Sequence, residues 1–371
     1  MKSITFIALG FLLCLSASAQ DAERSVGSLQ KSLQPDKVIT YKTVGDRELT
    51  LHMFYPEAYK ASDSRPAFVT IHGGGWVNGT PQRFYPYANA LTEKGYVGIS
   101  VEYRLVDAKQ GITVFDCVKD GRAAVRYIRT NAEKLGIDPR KIAVSGGSAG
   151  GHVAAGTALF DGIDHADEDA SVSCKPNALI LFFPVIDTSE KGYGMKRIGD
   201  QWATISPVDQ IKPAAPPTLI FHGDADKTTP YAGAKRYTER MHDAGNICEL
   251  VTHPGGGHGY INNDIKLFDD TMRKTAEFLT LNLGAAQVQD AAVDPSGAGV
   301  TVVALEIDPA GAAFDDAVAC AGFRDVSREN KAGAGAVAGD GGRGLVEGEV
   351  GKVEVNGTLI EGMPVGVQID R

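Results

Sequence analysis

Between residues 38 and 284 the apolar positions switch repeatedly between strand-like and helix-like spacing. Val38 to Thr43 and Leu49 to Phe54, the second with Leu49, Leu51 and Met53 on alternate positions, predict an opening antiparallel pair. Phe68 to Ile71, Val97 to Val101, Ile142 to Val144, Ala178 to Phe183, Thr218 to Phe221 and Cys248 to Thr252 follow as apolar runs, the pattern of strands covered on both faces. Ala124, Val125 and Ile128 recur at helical spacing before an expected Asp138–Pro139 turn, and Ile265 to Leu283 reads as a closing helix. Eight strands with helices between them predict one α/β domain of about 250 residues around a mostly parallel sheet. Its reactive groups are expected in loops at the carboxyl ends of the strands.

The pattern fades after residue 284. Residues 285–371 hold 15 glycines and 16 alanines, with Phe314 and Phe323 the only aromatics, so there is little large apolar surface to offset the entropy of ordering. Two stretches remain β-like: Val300 to Ile307, and Val353 to Val355 joined through Asn356–Gly357 to Thr358 to Ile360, a two-residue hairpin signal. The segment reads either as a Gly/Ala-rich linker with a small β-appendage or as mostly disordered. Gly333, Gly335 and Gly339 miss the G-x-G-x-x-G spacing and lack a strand before and a helix after, which argues against a dinucleotide site.

At the other end, Lys2, the apolar run Ile4 to Leu15 and the small residues Ser16 to Ala19 follow the order of a secretory signal peptide, with cleavage expected after Ala19. The run is too short to span a bilayer, so the sequence predicts export with no stable membrane anchor. Cys14 follows the bulky Leu13, which argues against a lipoprotein site. The expected organisation is therefore a signal peptide over 1–19, a catalytic domain over 20–284 and the extension over 285–371. Cys117, Cys174, Cys248 and Cys320 would remain after cleavage, and in an oxidising compartment they allow three pairings. The formal charge of −9 argues against nucleic acid or an anionic membrane as partner. Most of it sits in the extension, where acidic residues exceed basic ones by eight.

Candidate chemistry concentrates at three strand ends. Ile142 to Val144 leads into Gly146-Gly147-Ser148-Ala149-Gly150, a G-x-S-x-G match between a strand and a helix. A sharp turn there exposes a serine hydroxyl at a helix N-terminus, with glycines two before and two after to avoid clashes. Phe68 to Ile71 ends in His72-Gly73-Gly74-Gly75-Trp76, whose bare backbone amides suit an oxyanion; Gly74 and Gly75, with Ala149, are the candidate donors. A phosphate loop is the competing reading, but no Gly-Lys-Ser/Thr follows. A serine nucleophile needs a base, and His258, in a glycine-rich loop after the last strand, has the position expected of it. The orienting acid is Asp224 or Asp226, both in the loop after Thr218 to Phe221. There is no H-E-x-x-H and no spacing suited to a metal-dependent deacetylase, so no metal or cofactor is expected.

Taken together, HGGGW, GGSAGGH, HGDADKTTP and GGGHGY over Lys37 to about Leu283 resemble the α/β-hydrolase superfamily. The likeness is to secreted esterases similar to bacterial feruloyl and acetyl (acetylxylan) esterases, related to the hormone-sensitive-lipase-like group. The resemblance implies an α/β-hydrolase fold, with Ser148 as nucleophile, Asp226 as acid and His258 as base. Two features depart from the lipase-like pattern: Gly147 stands where Asp is usual, and little chain precedes His72 to form a helical cap. Only about 33 residues, Pro184 to Pro216, separate the sixth and seventh strands, which predicts an open cleft. Trp76, Tyr85, Tyr87, Tyr103, Trp202 and Tyr260 fall in loops near the expected site, where rings can stack on sugar or phenolic groups. The expected activity is hydrolysis of acetyl or feruloyl esters on polysaccharide. Alternatives are a general short-chain carboxylesterase, an arylformamidase- or peptidase-like hydrolase, or a non-catalytic binding protein.

Overall fold

The computed structural model describes residues 24–284, 353–355 and 358–360. The expected signal peptide, Cys320 and the β-like run 300–307 lie outside these residues.

Strands β1 (Lys37–Val44) and β2 (Arg47–Phe54) form the expected antiparallel pair. They are followed by β3 (Arg65–Ile71), β4 (Val97–Val101), β5 (Ile137–Gly147), β6 (Ala178–Phe182), β7 (Thr218–Gly223) and β8 (Cys248–His253). The sheet order is β1-β2-β4-β3-β5-β6-β7-β8, with β2 antiparallel to β4 and every later pairing parallel. This is the eight-stranded, mostly parallel sheet the hydrophobic runs predict.

The helices are α1 (Val26–Ser32), α2 (Tyr85–Ala90), α3 (Val114–Thr130), α4 (Ala149–Leu159), α5 (Met195–Ile198), α6 (Tyr231–Asp243) and α7 (Ile265–Leu283). Helix α7 matches its expected bounds, capped by Asp264, whose carboxylate accepts from the amides of Lys266 and Leu267. Helix α1 has no counterpart in the periodicity, being too short to establish a repeat; a capping box between Ser25 and Ser28 starts it.

Period-two alternation divides the apolar residues between two layers. On β3, Ala67, Val69 and Ile71 face a core shared with α3, α4 and α6, while Phe68 points to the other side among Tyr87, Phe182, Phe221, Phe268 and Phe278. Burying both faces explains why the central strands carry no polar alternation. The Asp138–Pro139 signal is realised inside β5, where it was expected before the strand. The ladder to β3 jumps from Ile137, opposite Arg65, to Ile142, opposite Ala67, and Asp138 Oδ1 accepts from the Arg140 amide across the irregularity.

Cys117, Cys174 and Cys248 are buried free thiols, so no disulfide links them to one another. Among the described residues no helix is long and apolar enough to cross a membrane. Separately, Val353–Val355 pairs antiparallel with Thr358–Ile360.

Candidate active site

Strand β5 stops at Gly147 and α4 starts at Ala149, leaving Ser148 alone at the apex with φ 53° and ψ −122°. A positive φ on a side-chain-bearing residue is strained, and the surroundings hold it in place. The Ser148 amide donates to Phe182 O (3.0 Å), and its carbonyl accepts from the amides of Val185 (2.9 Å) and His152 (3.2 Å). The two-residue spacing of the glycines on either side of Ser148 is steric. A Cβ on Gly150 would fall 2.1 Å from Ile71 O, and one on Gly146 2.3 Å from Gly150 O, so only glycine lets strand and helix meet this closely.

His258, in the loop after β8, reaches the serine. Its Nε2 lies 2.9 Å from Ser148 Oγ, and its Nδ1 lies 2.8 Å from Asp226 Oδ2. The His258 side chain is 26% exposed while Asp226 is sealed beneath it, so the imidazole end of this line is open to solvent and its carboxylate end is closed. Asp226 Oδ1 accepts from the amides of Thr228 (2.8 Å) and Thr229 (2.9 Å), and Oδ2 accepts from Thr229 Oγ1 (2.8 Å). Burial by itself raises a carboxyl pKa. Here hydrogen bonding from His222 and His258 and from the Thr229 amide more than reverses that, holding Asp226 far below the usual carboxylate range.

Asp224, the other candidate acid, is directed elsewhere: its Oδ1 accepts from the Gly255 amide (2.7 Å), tying the loop after β7 to the loop that carries His258. Two supporting residues escaped the sequence reading. Thr229 binds Asp226 and lies 3.2 Å from His258 Nδ1, and His222 Nε2 donates to Thr229 O (2.8 Å). Their signal was present in HGDADKTTP, where an Asp is followed by Thr at i+3, the spacing of a side chain accepting from its own loop amides.

The oxyanion candidates lie on the loop after β3. Gly74 has φ 129° and Gly75 φ 60°, and a Cβ on Gly73 would meet Gly147 O at 2.8 Å, so this loop packs directly on the serine turn. Among the described residues no hydrogen bond uses the Gly74 or Gly75 amide as donor. Ala149 is the first residue of α4, where an amide has no partner within the helix.

Five of the six aromatic candidates are packed in the interior. Trp76 is fully buried, edge-on to His152 (ring centroids 5.1 Å) and tilted against Tyr193 (5.6 Å). Tyr103 is buried, stacks on His72 and donates to His72 O (2.9 Å). Tyr260 stacks on His253, Tyr87 donates to Asn262 Oδ1 (2.9 Å), and Tyr85 pairs with His52 Nδ1. Tyr85 and Tyr87 lie in helix α2 rather than in a loop, and the rings of Trp76, Tyr103 and Tyr260 brace their segments from within, because chain crowded over strand ends has an apolar underside to bury. Trp202 alone of the six keeps partial exposure. Among the described residues no group of three or more His, Cys, Asp or Glu side chains is placed to hold a metal ion.

Sheet order, strand-turn-helix and the positions of these groups at the carboxyl edge define an α/β-hydrolase fold. The BD-FAE family matches residues 51–241, and the chain belongs to it. Esterase 2 of Thermogutta terrifontis superposes with a TM-score of 0.65 at 36% identity, covering 71% of this chain and 99% of that one. The acetylxylan esterase of Xylanibacter ruminicola is 27% identical over 243 residues, 61% of this chain and 47% of that protein. Carboxylesterase NlhH of Mycobacterium tuberculosis is 31% identical over 255 residues, 62% of this chain and 77% of that one. Against the first curated relatives it matches, the chain spans about half of their length.

Proposed function

We propose that the protein is a serine carboxylesterase that hydrolyses short-acyl or feruloyl esters, exported from the cytoplasm and acting on polysaccharide-linked esters. The observation that carries this reading is the unbroken line Ser148 Oγ, His258, Asp226 at 2.9 and 2.8 Å beside unpartnered glycine amides. In the first step Ser148 Oγ attacks the ester carbonyl while His258 Nε2 takes its proton. The resulting oxyanion is stabilised by the amides of Gly74, Gly75 and Ala149, and Asp226 stabilises the imidazolium. His258 then gives the proton to the leaving alcohol. A water, deprotonated by the same imidazole, attacks the acyl-serine, and the acid departs as the serine regains its proton.

The short-acyl preference is supported by the neighbouring esterase of Thermogutta terrifontis, solved with propionate and with butyrate bound. The polysaccharide reading is supported by the acetylxylan esterase relative. A general short-chain carboxylesterase is the second reading, favoured by the NlhH likeness. Turnover of 4-nitrophenyl acetate, butyrate and octanoate beside acetylated xylan and methyl ferulate separates them. Small-ester hydrolysis without activity on either carbohydrate-type ester selects the second. Ser148→Ala is expected to abolish short-ester turnover; retained activity in that variant overturns the mechanism.

A further inference from the structure

The segment between β6 and β7 builds a groove of about 980 Å³, lined among others by Glu190, Tyr193, Lys196, Arg197 and Asp200. That volume is at the upper end of small-molecule sites. Its inner rim meets the oxyanion loop. Arg197 Nη1 donates to Gly75 O (3.1 Å) and lies 3.5 Å from the Tyr193 hydroxyl, and a Cβ on Gly75 would fall 2.9 Å from that hydroxyl.

The placement is built rather than incidental. Gly194, at φ +102°, lies on the Trp76 ring so closely that a Cβ there would be 2.7 Å from it. The amides of Arg197 and Ile198 both donate to Gly194 O (2.8 and 3.0 Å), and the Tyr193 amide donates to Asp187 O (2.9 Å). The buried tryptophan of HGGGW is thus the platform on which the turn carrying Arg197 rests. Arg197 is nevertheless exposed, and among the described residues its Nε and Nη2 have no partner and no carboxylate pairs with it. Glu190 and Asp200 share the groove without forming an ion pair with it. A guanidinium fixed through one nitrogen and free at the others presents the planar fork that receives a carboxylate in two parallel hydrogen bonds.

We propose that Arg197, steadied by Tyr193, forms a subsite for esters that carry a carboxylate near the scissile bond, as on a uronate-bearing sugar or a dicarboxylic acyl group. The proposal rests on the serine-esterase reading above. Two matched pairs test it: 4-acetoxybenzoate against its methyl ester places the charge on the alcohol side, and mono-4-nitrophenyl succinate against 4-nitrophenyl butyrate places it on the acyl side. In at least one pair the ratio of kcat/KM, anionic over neutral, is expected to fall about tenfold in Arg197→Met. About a threefold fall is expected in Arg197→Lys, which keeps the charge and loses the fork. The wild-type ratio should also drop as salt is raised. Ratios unchanged in both pairs, or anionic and neutral esters losing rate equally, overturn the subsite while leaving the esterase reading intact. A wild type inert toward all four esters removes that reading and the subsite with it.

Discussion

Replacing Asp226 by Asn changes one atom and reverses the sense of a hydrogen bond. Two backbone amides, of Thr228 and Thr229, point at Oδ1, so the amide oxygen of the asparagine must occupy that position. The NH2 group then takes the place of Oδ2, 2.8 Å from His258 Nδ1 and 2.8 Å from Thr229 Oγ1. The threonine hydroxyl can rotate, since Phe183 O lies 3.3 Å away as an alternative acceptor. The imidazole cannot avoid the conflict so cheaply: it must present a lone pair at Nδ1, which puts its proton on Nε2, facing Ser148 Oγ at 2.9 Å. In that tautomer it can no longer accept the serine proton. Misplacing this proton in the Ser-His-Asp arrangement costs about 10⁴ in kcat, or about 5 kcal/mol of barrier, with geometry preserved. The expected result is therefore a kcat for 4-nitrophenyl acetate lowered about 10³- to 10⁴-fold, with KM changed little and the circular dichroism spectrum unchanged. A folded Asp226→Asn protein within tenfold of wild-type kcat would refute the assignment of Asp226 and the tautomer argument together.

Two further outcomes follow from the same geometry. The Thermogutta terrifontis neighbour has been solved phosphorylated by paraoxon; if Ser148 is activated as described, its Oγ displaces 4-nitrophenolate from paraoxon and becomes diethylphosphorylated. One equivalent of 4-nitrophenolate should appear as a burst, with the added mass on the Ser148 peptide. An equal burst from Ser148→Ala would contradict this. Stability should also fall as the pH is lowered from 7 to 5. Burial holds His72 and His152 at about 4, against 6.5 for the unperturbed group, so the unfolded chain takes up their protons first. That stability is fully present above pH 6.5 and is lost as pH falls towards 4, about 2 kcal/mol for each histidine by pH 5. Urea midpoints at pH 7, 6 and 5 measure it, and a midpoint flat across that range would show that these rings are not buried as neutral groups.

The regular part of the fold was legible because it follows from short-range pattern. Each of the eight strands lies where an apolar run predicts it, and α7 begins and ends at its expected residues. Helix α1 was illegible because seven residues stabilised by one capping box carry no repeat. The candidate nucleophile and its flanking glycines were legible because the steric demand is local: Gly146 and Gly150 sit within two residues of the apex they serve.

Local order along the chain thus determined the sheet, the turn that lifts Ser148 and the backbone-bare loop at Gly74 and Gly75. The family resemblance points to Asp226, and the tertiary structure supplies the physical reason that it, rather than Asp224, faces His258. Asp224 and Asp226 are two residues apart in one loop, and the choice depends on Gly255, which takes one of them, and on the ring that meets the other. The tertiary structure decided that Trp76 is interior support rather than a ligand surface, since the turn at Gly194 that covers it lies more than a hundred residues away. Sequence pattern reports which residues want burial or exposure. Which distant segment supplies the covering atoms is set by how the strands are ordered, and no local periodicity encodes that.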